Sequence, residues 1–440
     1  MSATPALPPG YNFFQTLWRM FRHSNNELGM MQESMKQYDG TYSANIGSMR
    51  IIVTQDPAFI EHVLKGNQRN YHKSPIVSQQ LGRFVGNGLL TSNGDYWLKQ
   101  RRLIQPGFHH EKIHALFSII KKTVDDFLAQ FPVGKKMDMY PQMNKLTFEI
   151  VINSLFNVHI PDEKRNELSI FITEVQDFVL KDVRQPYKSW WFRLSGEENK
   201  NLDRSKRARE IISELIHERK QSPDKFNDLL DMLLDARYED NGQPMSEDQV
   251  IDEILIMLIA GHETSANALS FALFLLATHP AELQKLQNET VGLSLEEIVK
   301  NEALLTVINE TMRLYPPAWI SDRVALADDR FQDFNIPKDT TLVLFYYGLH
   351  RNPEFFKDPL SFQPDRFLKK NIDKEKQKAF YPFGAGPRMC IGNNFALAEM
   401  AIFLQAFISH FDIKSTGQTP ALKPLITLRP DKVILDVKRN

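Results

Sequence analysis

Apolar positions follow two patterns along this chain. From about Asp56 to Ala327 they recur mostly at helical spacing, interrupted by proline and glycine clusters. Short runs rich in β-branched residues lie at 40–54, at Thr341–Phe345 and at Ile426–Val437. The first reads as a hairpin turning at Gly47. The pattern predicts a mainly α fold with a small, discontinuous β component. Strands near both ends of the sequence predict one entwined domain over residues 1–440 rather than a string of modules.

One predicted helix breaks a local rule. Ser246-Glu-Asp-Gln249 fits a capping box, and helical character runs to Thr278, where His279-Pro280 stops it. About thirty residues at 1.5 Å each give about 45 Å, enough to cross a whole domain. Ile254–Ala260 is apolar on every side, so the helix is expected to be buried all round. Gly261-His262-Glu263-Thr264-Ser265 then places polar groups in its middle. Burying them is unfavourable without partners, and a mid-helix glycine costs about 1 kcal/mol more. Such a conflict marks a candidate functional site.

Composition narrows the function classes. The 440 residues carry 53 basic and 54 acidic side chains, so the basic excess of a non-specific nucleic-acid binder is missing. A single cysteine, Cys390, excludes an intramolecular disulfide and any Cys-rich zinc or iron–sulfur site. The longest apolar stretches, Ile254–Ala260 and Phe271–Ala277, fall well short of the ~18 residues of a membrane span. Residues 1–10 lack the basic and apolar regions of a signal peptide. A soluble, cytoplasmic protein is expected.

The lone cysteine lies in Phe383-Gly-Ala-Gly386-Pro-Arg388-Met-Cys390-Ile-Gly392. Three glycines in ten residues permit tight turns and close backbone approach. The helical run from Asn393 onward puts Cys390 just ahead of a helix N-terminus, a setting that favours a thiolate. A lone cysteine is usually a small buried hydrophobe; this loop reverses that reading.

The segment resembles the cysteine loop of the cytochrome P-450 family, the haem-thiolate monooxygenases. Their pattern, Phe-x-x-Gly-x-Arg-x-Cys-x-Gly, is matched at Phe383, Gly386, Arg388, Cys390 and Gly392. The resemblance implies that Cys390 is the axial ligand of haem iron and that Arg388 pairs with a haem propionate. It implies haem b as cofactor and O2 as co-substrate, with the haem between the long central helix and the cysteine-loop helix.

Three further motifs match in the family's order. Glu310-Thr-Met-Arg313 has (i, i+3) spacing, which alone reads as an ordinary surface salt bridge. By resemblance it is a buried structural triad with Arg366 of Pro364-Asp365-Arg366-Phe367, where Asp365 replaces the commoner Glu. Trp97 and Arg101, four residues apart, share a helix side and by resemblance donate to a propionate, as does Arg323. Ala260-Gly261-His262-Glu263-Thr264 matches the oxygen-binding pattern. There Ala260 and Gly261 line the haem, Gly261 makes room beside the iron, and Glu263 and Thr264 handle protons. His262 is expected to point away into packing or solvent.

Substrate residues are less legible. Fold position nominates Phe84 and Val85 within Ser74–Leu90, then Ile320, Ser321 and Ile426. Phe178 and Trp190-Trp191 fall in the expected lid, as gate residues or plain core, with core the commoner case for any one of them. An apolar cavity is the default, favouring hydroxylation of a lipid- or terpenoid-like substrate. Polar Ser321-Asp322 and Tyr71-His72-Lys73-Ser74 leave open oxidative O-demethylation of a methylated sugar or similar ether. A peroxide-driven peroxygenase and a non-catalytic haem carrier are the rival classes. With no fused reductase or ferredoxin domain in the reading, electrons would come from a separate ferredoxin or flavodoxin and its NAD(P)H reductase. Lys99, Arg102 and Lys369–Lys378 could surround the docking face of this monomer.

Overall fold

The computed structural model of the protein describes residues 6–23, 26–372 and 374–440. The chain divides into two compact units, each assembled from separated segments. The first comprises Met1–Ser74, Asn309–Cys390 and Leu422–Arg429; the second comprises Pro75–Ile308, Ile391–Ala421 and Pro430–Asn440.

The first unit is built on a six-stranded sheet. Its strands are β1 (Gly10–Tyr11), β2 (Thr41–Ile46), β3 (Met49–Thr54), β4 (Tyr71–His72), β5 (Ser321–Ala325) and β6 (Thr341–Leu344). Their spatial order is β1-β2-β3-β6-β5-β4. β2 and β3 form the expected hairpin, with Gly47 at φ +60 in its turn. β3 then pairs in parallel with β6, which joins residues nearly 300 positions apart. β4 runs antiparallel to β5, with Tyr71 opposite Ala325 and His72 opposite Val324. A core including Ile52, Phe59, Leu342, Leu344 and Phe356 packs against this sheet.

The second unit is mostly helical. Helix Glu247–Thr278 runs unbroken for 32 residues and packs against helix Met139–Phe156. Ser246 caps it, its Oγ accepting from Gln249 N–H at 3.2 Å. The reciprocal half of the expected capping box is not made, because the Gln249 amide donates to Glu253 instead, at 2.8 Å. Among the described helices this is the one long and apolar enough to cross a membrane, yet most of its apolar length is buried within the protein. A three-stranded antiparallel sheet pairs Ile434–Arg439 with Phe411–Ser415 on one side and Gly134–Asp138 on the other.

Candidate functional site

In the first unit the cysteine loop is closed by the Cys390 N–H, which donates to Phe383 O at 2.9 Å. Gly386 is the residue this closure depends on. It sits at φ +69, and a Cβ there would lie 2.0 Å from the Leu64 carbonyl oxygen. Only glycine permits that contact. Cys390 is exposed at the end of the loop, and helix Asn393–His410 begins three residues later with Gly392 as its N-cap.

Behind the loop lies the triad. Glu310 and Arg313 are fully buried and joined twice, Nε to Oε2 at 2.7 Å and Nη2 to Oε1 at 2.8 Å. Arg366 Nε reaches the same Oε1 at 3.2 Å. The surplus donors of Arg313 go to the carbonyls of His350, Pro359 and Ser361. His350, which the sequence reading did not single out, carries this order onward: its Nε2 accepts the Tyr381 N–H at 2.9 Å, two residues before Phe383. An accepting Nε2 requires a neutral ring, and burial, reinforced by Arg313, holds His350 down to about 3.

The strand register builds a second feature. Continuing the β4–β5 pairing brings Lys73 beside Arg323 and Ser74 beside Asp322. Ser74 Oγ donates to Asp322 Oδ2 at 2.6 Å, and Ser321 Oγ bonds the Tyr346 hydroxyl at 2.7 Å. Lys73 is pushed down to about 7 by burial, then by Arg323 and Arg388, against the pull of Asp322. Arg388 is lowered to about 10 by burial and by Arg323, and His72 is lowered by burial and by Arg388. Two arginines and a partly protonated lysine thus gather around one carboxylate, leaving a positive surplus. Two propionates would balance that surplus, so the donor set fits a haem. Lys73 and His72 had been read as possible substrate contacts; Lys73 belongs to this cation cluster, with His72 beside Arg388. Ser321 and Asp322 are bonded inside the unit rather than offered to a substrate.

In the second unit the long helix has one side that is less buried than the rest. Between Gln249 and Ala277 every residue is buried except Met257, Ala260, Gly261 and Thr264. That spacing is one helix side, about 10 Å long. An exposed alanine between fully buried Leu258 and buried His262 is the opposite of what solvent-driven patterning produces. Thr264 Oγ1 donates to Ala260 O at 2.8 Å, so its hydroxyl proton is held within the helix. His262 turns away as expected, its Nε2 bonding Asn144 O at 3.0 Å and its ring edge meeting Phe148. Burial lowers it to about 4.

Gly261 also lies close to the companion helix. A Cβ there would stand 3.1 Å from Val151 Cγ2. The glycine therefore suits close helix–helix packing as well as lying on the uncovered stripe.

Helix Asn393–His410 adds a residue that was missed. Glu399 is fully buried, accepts from Ser265 Oγ at 2.8 Å through Oε2, and has no partner for Oε1. Burial, partly opposed by Ser265, pushes it up to about 8. A lone acid inside Phe395–Leu404 was the available signal. Glu253 is likewise pushed up to about 7, chiefly by burial. Both carboxyls bind protons more tightly folded than unfolded, so stability is fully present below about pH 4.5 and is lost as pH rises toward about 8. Urea midpoints are expected to fall across that window, and Glu399→Gln is expected to flatten the slope; a slope unchanged by the substitution would contradict a protonated Glu399.

The remaining expected residues are placed as follows. Trp97 is buried and Arg101 half-buried on helix Gly94–Ile104, with Arg101 Nε on Gln105 at 3.1 Å. Phe84 and Val85 do not line an open face: both are fully buried, Phe84 edge-on to buried Phe178. Helix packing claims them. Ile320 is partly buried against the core around Trp319 and Phe345, while Ile426 is exposed. Trp190 and Trp191 are exposed rather than core, whereas Phe178 is core. Lys99 is already paired with Asp240 at 2.8 Å, and residue 373 of the Lys369–Lys378 run lies outside the described residues.

The profile of the Cytochrome P-450 family matches residues 5–437. The chain belongs to the cytochrome P-450 family. It is 29% identical over 393 residues to cyclooctat-9-en-7-ol 5-monooxygenase of Streptomyces melanosporofaciens, covering 88% of this chain and 85% of that protein. Cyclooctatin synthase of the same organism is 26% identical over 412 residues, covering 91% and 89%. The crystal structure of the cytochrome P-450DA heme domain superposes with TM-score 0.88 at 21% identity, covering 100% and 98%, which establishes the fold. As a P-450 monooxygenase the protein uses haem, O2, a small-molecule substrate and a redox partner.

Haem, once bound, supplies a redox-active iron for dioxygen activation, and a thiolate ligand favours O–O cleavage. Of this chain's own residues, Cys390 is the one thiol available as ligand.

Proposed function

We propose that the protein hydroxylates a lipid- or terpenoid-like substrate, with haem b held by Cys390 and electrons drawn from a separate ferredoxin or flavodoxin and its NAD(P)H reductase. In this reading it works as a cytoplasmic monomer formed by a single P-450 domain. Arg388, Arg323 and Lys73 take the propionates, and Trp97 and Arg101 are propionate donors by their match to the family's motif. The observation that carries the reading is the uncovered stripe of Met257, Ala260, Gly261 and Thr264 on an otherwise buried helix. It presents an apolar surface with one hydroxyl, suited to an apolar molecule and a single point of proton control.

Two relatives whose names refer to cyclooctatin chemistry support the substrate class. The O-demethylase alternative rested on Ser321, Asp322 and the 71–74 segment, and the bonds these residues make to one another and to Tyr346 remove that support. Thr264 holds and passes a proton through Oγ1, and Glu263, the adjacent buried acid, resupplies it.

Titration of the ferric protein with terpenoids and long-chain lipids is expected to give a saturable low- to high-spin shift of the Soret band, with none from O-methylated sugars. A shift with the sugars alone would overturn the substrate class. Thr264→Ala is expected to lower product formed per electron consumed about tenfold while O2 uptake continues. Unchanged coupling would favour the peroxide-driven alternative.

A further inference from the structure

Two adjacent acids near the start of the long helix take no part in the chemistry described above, yet both are buried: Asp252 at 9% and Glu253 at 1% exposure. Each carboxyl holds a backbone N–H of the segment between Val85 and Gly94. Asp252 Oδ2 accepts from Asn87 N–H at 2.8 Å, and Glu253 Oε2 accepts from Leu89 N–H at 3.0 Å. Their second oxygens are also taken. Arg209 of helix Glu197–Gln221 donates to Asp252 Oδ1 at 2.5 Å, and Gln249 Nε2 donates to Glu253 Oε1 at 2.8 Å. Tyr96 in turn donates to Gln249.

The loop is built to receive this clamp. Gly86 has φ +80, and a Cβ there would stand 2.1 Å from the Asp252 carboxyl; at Gly88 it would stand 2.9 Å from that of Glu253. Thr91 Oγ1 donates back to Gly86 O at 2.8 Å, which tightens the turn from within. An apolar side chain at position 253 would pack without the desolvation cost of an acid but would leave the Leu89 N–H with no acceptor there. What the acid supplies is the position of the loop.

Helical periodicity ties the clamp to the uncovered stripe. Glu253, Met257, Ala260 and Thr264 are spaced four, three and four residues apart, so they share one side of the helix. Met257, Ala260 and Thr264 are not buried; one turn earlier Glu253 is, and the Leu89 N–H and Gly88 lie against it. The uncovered side therefore ends at the loop. Leu89 and Leu90, both only partly buried, give that boundary an apolar character.

We propose, on the reading of that side as the substrate surface, that Glu253 is a positioning residue that sets how long a substrate the protein accepts. It fixes residues 86–90 across the end of the stripe, and the loop stops a molecule lying along Met257, Ala260 and Thr264 from extending further.

The haem-loaded full chain is titrated with geraniol, farnesol and geranylgeraniol, linear terpene alcohols of increasing length, and the low- to high-spin shift of the Soret band gives an affinity for each. Wild type is expected to bind farnesol in preference to geranylgeraniol. Glu253→Leu, which fills the site but removes the acceptor, is expected to shift that ratio about tenfold toward the longer alcohol. Gly88→Ala crowds Glu253 from the loop side and is expected to shift it the same way. Glu253→Gln keeps an acceptor for the Leu89 N–H and is expected to hold the wild-type ratio. Lost packing alone would weaken all three alcohols alike. Hydrogen exchange at Leu89 is expected to quicken in Glu253→Leu while helix Glu247–Thr278 stays protected. An unchanged ratio in Glu253→Leu and Gly88→Ala would overturn the proposal, as would a wild type that binds all three alcohols equally or a Leu89 amide that exchanges as slowly in Glu253→Leu as in wild type. No spin shift from any of the three in wild type would overturn the substrate reading itself, and the proposal with it.

Discussion

Glu310→Ala is expected to remove about 3–5 kcal/mol of stability, the cost of leaving a buried charge without its counter-ion. Glu310 and Arg313 are both fully buried, and the carboxylate accepts from Arg313, Arg366 and the Gln363 N–H at 2.9 Å. Without it, Arg313 keeps its three carbonyl acceptors but nothing neutralises its charge. A loss of that size is a large share of the total stability of an ordinary domain. The damage should also reach the cysteine loop, because Arg313 fixes His350 O and His350 Nε2 fixes Tyr381. Urea denaturation with haem retention as a second readout checks both parts. A midpoint within error of wild type would show that the triad carries no such burden.

Cys390→Ser is expected to abolish O2-dependent turnover, by at least about a thousandfold. The hydroxyl differs from the thiol by one atom but stays protonated where a cysteine can ionise, so it cannot give iron the electron density that O–O cleavage draws on. The fold should survive. Cys390 is exposed, and its loop is closed by a backbone bond to Phe383 that serine can make equally well. Intact thermal unfolding with lost turnover would separate the chemical role from a structural one; turnover near wild type would contradict it.

Legibility from sequence followed locality. The cysteine loop and the 383–392 glycine pattern are contiguous, and so is the long helix with its Ser246 cap and its stop at His279. The triad needed one distant residue, Arg366, and motif order supplied it. Lys73 was misread because its setting arises from β4 pairing with β5, some 250 residues on, which no local pattern reveals. The side chains of His350 and Glu399 each make one long-range hydrogen bond, invisible for the same reason. Gly261 reads as space for a ligand, and a close helix neighbour leaves the same trace. Trp190 and Trp191, read as gate or core residues of the expected lid, are exposed. Apolar residues are common on surfaces, and which side of a helix faces the core depends on what pins it.

The central claim, a haem held through the Cys390 thiolate, is tested most directly by the carbon monoxide difference spectrum of the reduced protein. Wild type is expected to show the strongly red-shifted Soret band of thiolate ligation, and Cys390→Ser is expected to lose that band while still taking up haem. A wild-type band at the position given by histidine ligation, or a Cys390→Ser protein that keeps the red-shifted band, would contradict the account.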